Sequence, residues 1–217
     1  MAKPPVVEPK DIEHAVKVAR VSGAHGLRNA ALLYCLFATA LTPGEMGRLV
    51  VHDYCAADGK TRRKCLVRQE ISYNGYARPL YWANAKLAGA IDAYLAWRLE
   101  HKVGLGTPDR YRGLDPHSPL FVNGRTGGAF TATTYTKDGV RRESAMVLSA
   151  LFKKLLKQAG VEGSALSGRR TFAVLLGRQG KDPAVVREMM GLRNISDAKA
   201  IMAHDPVRMA DIVARVF

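Results

Sequence analysis

The stretch LSGRRTFAVLLGRQG carries two adjacent arginines, Arg169 and Arg170, the residue type best suited to gripping a phosphate. A guanidinium is a planar fork of donors that meets phosphate oxygens two at a time. Other basic groups are clustered: Arg62, Arg63 and Lys64 follow a Gly-Lys turn, and Lys153, Lys154 and Lys157 recur at helical spacing. Bond-breaking chemistry would need a nucleophile or a metal as well. The three cysteines (Cys35, Cys55 and Cys65) are odd in number and lack CxxC spacing, the six histidines are scattered, and no GxSxG elbow or phosphate-binding glycine loop occurs. His204 has no companion ligand and reads as a surface or cap histidine. Glu45, a single carboxylate without an acid partner, reads as structural, and Cys35 as a core thiol. No metal and no cofactor is expected.

Charge supports the phosphate reading. Lys and Arg number 33 against 19 Asp and Glu, giving a formal net charge of +14 and an isoelectric point near 10.0, a balance that favours a polyanionic partner. Residues 141–217 hold 14 basic and 7 acidic side chains, so half of the excess lies there and half in the rest. The charge must therefore sit on the folded surface and not on a detachable tail. With 47% hydrophobic residues in 217, the chain can bury a full core. The longest apolar run, Ala30–Leu41, is too short to span a bilayer and follows no signal-peptide pattern. The expected location is cytoplasmic and nucleoid-associated, with no membrane partner.

The elements that must position these groups follow from periodicity. Asp11 to Val21 sets Ile12, Ala15, Val16 and Ala19 on one helical face, with Asp11 able to cap it. After a turn at 22–26, residues 27–41 form a largely buried helix with Leu27, Ala31, Tyr34, Cys35 and Ala38 along one stripe. From Leu49 to Trp82 the spacing becomes strand-like. LVVHDY, KCLVRQ and ARPLYW, separated by turns holding Asp58-Gly59 and Asn74-Gly75, predict a three-stranded antiparallel meander. Asn84 caps a helix to about His101, with Leu87, Ile91, Tyr94 or Leu95, and Arg98 in register, and GLGTPDRYRGLDPHSP is a surface loop. The remainder is helical. In SAMVLSALFKKLLKQAG, Val147, Leu148, Leu151, Phe152 and Leu155 face inward and the three lysines outward. Arg170–Gly177 follows, then a helix opened by Asp182-Pro183 and closed by Gly191, one carrying Ile201 capped by Ser196, and a last helix, Val207–Val216, behind Asp205-Pro206. The fold class expected is mainly α with a small antiparallel three-stranded sheet (α+β), with residues 1–10 a tail and 11–217 one domain.

Three segments, in this order, resemble the catalytic domain of the tyrosine recombinase/phage integrase family. ATALTPGEMGRLVVHDY matches the first box, with Glu45, Leu49 and Asp53 in their usual places; LSGRRTFAVLLGRQGKDPAVVREMMG matches the second. GLRNISDAKAIMAHDPVRMADIVARV follows the pattern of a glycine, a short polar turn, a nucleophile-bearing helix, an Asp-Pro and a final amphipathic helix. The likeness runs from about Asp11 to Phe217 and does not include the family's N-terminal helical domain, which closes a clamp around DNA. The resemblance implies a chemistry in which a tyrosine attacks the scissile phosphate, two arginines and a histidine or tryptophan neutralise the transition state, and a lysine and a histidine move protons.

Carried over position by position, most of those roles fall on residues that cannot fill them. The first arginine falls on Thr42, the lysine on Ile71 or Ser72, the histidine of the second box on Leu166, the histidine or tryptophan on Leu192, and the nucleophile on Ile201. The second arginine is kept as Arg169. The last tyrosine in the chain is Tyr135, so no shift of register supplies a nucleophile. The resemblance thus implies a catalytically inactive, integrase-like DNA-binding protein, regulatory or architectural, linked to a mobile element or plasmid. Its partner would be double-stranded DNA, contacted by Arg169, Arg170, Arg62, Arg63, Lys64, Lys153, Lys154 and Lys157. Each has a structural counterpart: Arg169 can pack internally against Glu45, and the lysines can simply be solvated. Two alternatives stay open, a module that pairs with itself or with an active recombinase through the last helix, and an enzyme with non-standard phosphodiester chemistry.

Overall fold

The computed structural model of the chain describes residues 4–137 and 140–206. Two helices at the start, α1 (Pro9–Val21) and α2 (Gly26–Ala38), pack against each other, and α2 packs on α5 (Ala85–Glu100). Between them run the short helices α3 (Pro43–Gly47) and α4 (Val51–Tyr54) and the antiparallel pair β1 (Lys64–Val67) and β2 (Arg78–Tyr81), registered Lys64 to Tyr81. A second hairpin, β3 (Thr133–Lys137) with β4 (Val140–Ser144), precedes the helices α6 (Met146–Gln158), α7 (Ala165–Arg178), α8 (Pro183–Met190) and α9 (Ile195–Ala203).

A mainly helical body with a small antiparallel sheet is what the sequence implies, and two local expectations give way. LVVHDY is not the first strand of a meander. Val51 to Tyr54 make a helical turn, because the Asp53 carboxylate accepts the Val50 N–H at 3.0 Å and caps it; Val51, Asp53 and Tyr54 are all buried, whereas a half-buried strand would alternate. The β3–β4 hairpin lies in a stretch for which the helical reading made no provision. Smaller corrections follow from capping and packing. Glu8, not Asp11, precedes α1, and Asn194, not Ser196, precedes α9. Val147 is 48% exposed while Leu148, Phe152 and Leu155 are buried. The caps read at Asn84 and Asp182 are made, at 3.0 Å to the Leu87 N–H and 2.6 Å to the Ala184 N–H. The helix expected at Val207–Val216 lies outside the described residues.

Residues 4–10 are not a detached tail. Val7 is buried and its N–H donates to Thr171 Oγ1 at 3.0 Å. The Glu8 carboxylate takes two bonds from Arg178 at 2.7 and 2.9 Å, and the same guanidinium holds Asp205 through two bonds of 2.7 Å. The main core gathers α1, α2, α5 and α6 around Leu32, Leu33, Leu36, Tyr54, Trp82 and Phe152. A smaller core of Ala40, Phe172, Ala173, Val186, Met190 and Ala198 unites α7, α8 and α9, with Leu192 and Ile201 packed on its edge.

Arg98, read from periodicity as an inward position of α5, is fully buried. Its guanidinium meets the carbonyls of Pro119 (2.7 Å), Leu120 (3.3 Å) and Val103 (3.3 Å) and Ser118 Oγ (3.0 Å), so one side chain organises the loop that the Gly and Pro content leaves irregular. Arg98→Met strips those acceptors of their donor in a place water does not reach. It is expected to lower the unfolding free energy by about 2–4 kcal/mol in urea titrations, with little change in far-UV circular dichroism of the remaining folded state.

Candidate functional site

The C-terminus of α8 is where three parts of the chain meet. A helix end leaves carbonyls unpaired and carries partial negative charge; here the N–H groups of Gly191 and Leu192 meet the carbonyls of Glu188 and Arg187, and donors from elsewhere meet the next three. Arg78 Nε donates to Met189 O (3.2 Å), Arg169 Nη2 to Met190 O (2.8 Å), and both Tyr73 OH (2.8 Å) and Asn74 Nδ2 (2.7 Å) to Gly191 O. Gly191 adopts φ +64°, and a Cβ there would stand 2.8 Å from Arg78 Cδ, so the left-handed cap and the close approach both require glycine.

Arg78 also forms a two-pronged ion pair with Glu45, at 2.6 and 2.8 Å, with 4% and 0% of the two side chains exposed. The carboxylate further accepts the N–H groups of Thr42 (2.7 Å) and Tyr73 (3.1 Å), while Thr42 Oγ1 accepts the Glu45 N–H in a capping box for α3. Burial by itself raises the pKa of Glu45; the bonds and charge of Arg78, with the two N–H groups, outweigh it and hold the carboxyl below its ordinary value. The partner of Glu45 is thus Arg78, not Arg169. Arg169 lies over the Tyr73 ring at 4.6 Å and donates through Nη1 to Ala40 O at 2.8 Å, and burial lowers its pKa.

Beside this clamp opens a cleft of about 620 Å³ lined by Thr42, Pro43, Leu166, Arg169, Leu192 and Ile201 among others. Four of the positions that the family resemblance assigns to lost catalytic groups therefore converge on one concavity, together with the retained arginine. The fifth, Ser72, lines an adjoining hollow of about 970 Å³ that shares Thr42, Pro43, Ala165 and Leu166 with the cleft and adds Arg48, Tyr135 and Lys153; Ile71 is buried. The lining of the cleft is mostly apolar, with Arg169, Arg170 and His204 as its basic members. Leu166 at its mouth is 71% exposed, and Thr42, its one hydroxyl among the described residues, is occupied in the α3 cap.

The basic positions spread more widely. Arg170 donates to His204 O at 3.2 Å, and its Nε is buried without a partner among the described residues. Lys153, Lys154 and Lys157 stand exposed on α6, as the helical spacing implies. Arg62 donates to His52 O at 2.8 Å, whereas Arg63 and Lys64 are exposed, the latter with Nζ 5.5 Å from the Tyr81 ring centre. His204 is exposed at the end of α9 and bonds Ala200 O in its own last turn. Arg78, Tyr73 and Asn74 escape the sequence reading. Their one signal is the Asn74-Gly75 turn, which tells of a bend but not of what the bend touches. No group of described residues could hold a metal ion, and no described helix is long and apolar enough to cross a membrane.

No protein-family model matches the chain. Among curated proteins it is similar to tyrosine recombinase XerC of Bacillus subtilis (strain 168), 26% identical over 196 residues, which cover 88% of this chain and 54% of that protein. The chain spans about half the length of that relative. Among solved structures it is similar to XerA recombinase, with TM-score 0.66, 18% identity and coverage of 99% of this chain and 64% of that one. It is also similar to XerH site-specific recombinase bound to palindromic difH substrate in a post-cleavage complex, with TM-score 0.65, 16% identity and coverage of 99% and 53%. The Tn1549 transposon integrase in complex with a circular intermediate DNA gives TM-score 0.62, 15% identity and coverage of 100% and 67%. The fold is that of a tyrosine recombinase catalytic domain, as the three sequence boxes imply.

The Glu45–Arg78 pair makes a pH-dependent contribution whose sign is fixed. Because the folded pKa of Glu45 lies below the unfolded value near 4.5, the stabilisation is complete above that value and is lost as pH falls through the depressed folded pKa. Glu45→Gln leaves Arg78 as an uncompensated buried charge, expected to cost about 3–5 kcal/mol at pH 7. The gap to wild type should narrow as acid is added, in denaturant titrations at pH 7 and below pH 4. A gap independent of pH would refute the ion-pair account.

Proposed function

We propose that the chain is an integrase-like DNA-binding protein that does not cut DNA, acting as a regulatory or architectural factor on a mobile element or plasmid. One observation carries this reading: the cleft in which the resemblance places the recombination chemistry is lined by Thr42, Leu166, Leu192 and Ile201. Leucine and isoleucine cannot attack a phosphate or shuttle a proton, and the threonine oxygen is engaged in a helix cap. Arg170 and His204 also line the cleft, but of the transition-state roles that the resemblance implies only that of Arg169 is kept, and each such role is ordinarily worth about 10²–10³ in rate.

What supports duplex binding is the net charge of +14 on a fold that similar proteins carry in complexes with DNA. On this proposal Lys153, at the rim of the larger hollow, with Lys154 and Lys157 along α6, neutralises backbone phosphates. Arg62, Arg63 and Lys64 add contacts from β1 and the turn before it, and Arg170 from the cleft. Arg169 serves first as a clamp, because two of its bonds hold Ala40 O and Met190 O; its remaining donors are available to a phosphate at the rim. Affinity drawn from such contacts releases counterions, so it falls steeply with salt and carries little sequence preference of its own.

Mobility-shift titrations on duplex DNA should give a dissociation constant on the order of 10⁻⁴–10⁻⁶ M that weakens as salt rises. Replacing Lys153, Lys154 and Lys157 together by alanine should leave the unfolding midpoint almost unchanged and reduce the slope of log affinity against log salt by up to about 2.7. Absence of a shift overturns the DNA reading. A nicked duplex that traps covalent intermediates should yield no protein–DNA adduct on a denaturing gel; an adduct overturns the inactivity.

A further inference from the structure

The turn that precedes α2, the loop at 122–127 and two aromatic side chains of α5, Tyr94 and Trp97, enclose a cavity of about 320 Å³ that shares no lining residue with the cleft or the hollow beside it. Arg28 lines it while only 7% exposed. Its bonds go to neutral acceptors: Nε and Nη2 to Asn29 Oδ1 (3.2 and 2.8 Å) and Nη1 to Val122 O (3.0 Å), with the Phe130 ring centre 5.6 Å away. No carboxylate among the described residues pairs with it, and no Asp or Glu lines the cavity. A buried cation without a counter-charge is costly to hold. Arg98 avoids that cost differently: it reaches four acceptors and lines neither this cavity nor the cleft and hollow described above. Arg28 reaches two, and faces open space.

Other features of the cavity have the same sign. Tyr94, 2% exposed, accepts the Val122 N–H at 3.1 Å, and its own hydroxyl proton goes to no acceptor among the described residues. Arg20 sets a second cation on the exposed rim. Burial, and then the charge of Arg28, hold the His25 pKa below its ordinary value. Leu27, Trp97, Val103 and Val122 supply an apolar wall.

We propose that this cavity is a binding site for a small organic monoanion, a carboxylate on a compact apolar body, with the carboxylate on Arg28 and the Tyr94 hydroxyl and the body against Leu27, Trp97 and Val103. The anion supplies the counter-charge that the chain itself withholds, and the site makes the protein responsive to a metabolite-sized ligand at a place remote in the lining from the DNA-facing cleft.

Isothermal titration of the whole chain with phenylacetate, and with neutral phenylacetamide beside it, separates charge from shape. Phenylacetate is expected to saturate with a dissociation constant of about 1 mM or tighter, and the amide to bind at least about tenfold more weakly, as befits loss of a charge-assisted bond. Phenylacetate should also raise the thermal midpoint of wild type and not that of Arg28→Met. Should Arg28→Met fail to fold, Ala24→Trp at the exposed rim fills the cavity without touching the buried charge and should abolish the heat. No saturation by about 10 mM, equal binding of acid and amide, or undiminished binding by Ala24→Trp each overturns the proposal.

Discussion

The Glu45–Arg78 ion pair is the constraint on which the site depends. Two buried charges are tolerable only when their remaining bonding capacity is filled, and here filling it recruits the rest of the site. The carboxylate takes the N–H groups of Thr42 and Tyr73, which fixes the entry to α3 and the loop between β1 and β2. The guanidinium takes the carbonyls of Met189 and Ala40, which fixes the end of α8 and the exit from α2. Tyr73, once placed, offers its ring to Arg169 and its hydroxyl to Gly191. One electrostatic contact therefore sets four chain segments in register around the cleft.

This arrangement explains how the cleft stays open around a largely apolar lining. The frame is held behind it, by carbonyls, a carboxylate and two arginines, while the residues that face the opening belong to separate short elements: Thr42 ahead of α3, Leu166 in the first turn of α7, Leu192 after α8 and Ile201 in α9. Leu192 and Ile201 gain burial against the small core of α7, α8 and α9, so apolar residues there stabilise the fold. Leu166 gains nothing comparable, since it is 71% exposed.

Which parts were legible in the sequence follows from the range of the interactions involved. Asn84, Asp182 and Gly191 act on backbone groups within a turn or two, so their types and positions suffice. The inward row of α5, from Leu87 to Arg98, is a matter of period alone. Thr42, Leu166, Arg169, Leu192 and Ile201, which the ordered boxes name from far-apart stretches, meet at one cleft, a convergence that only the fold supplies. What failed is non-local or finely balanced. Arg78 meets Glu45 across 33 positions, and nothing in a one-dimensional pattern prefers it to Arg169. LVVHDY has the composition of a strand, and a single carboxylate-to-amide bond from Asp53 tips it into a helical turn. Thr133–Lys137, rich in β-branched and aromatic residues, carries a strand signal, but it is a short one between an irregular stretch and the helical pattern that begins at Met146.

The clasp in which Arg178 holds both Glu8 and Asp205 bears on the topology of the chain. Positions near the start and near the end of the described residues meet on a single guanidinium, so the polypeptide forms an almost closed ring in space. For such a path, connectivity and architecture are separable: joining residue 217 to residue 1 through a linker, so that Val7 keeps its place in the core, and reopening the chain in the glycine-rich loop at 104–110 would retain the Arg178 clasp while reversing the order in which the two halves are synthesised.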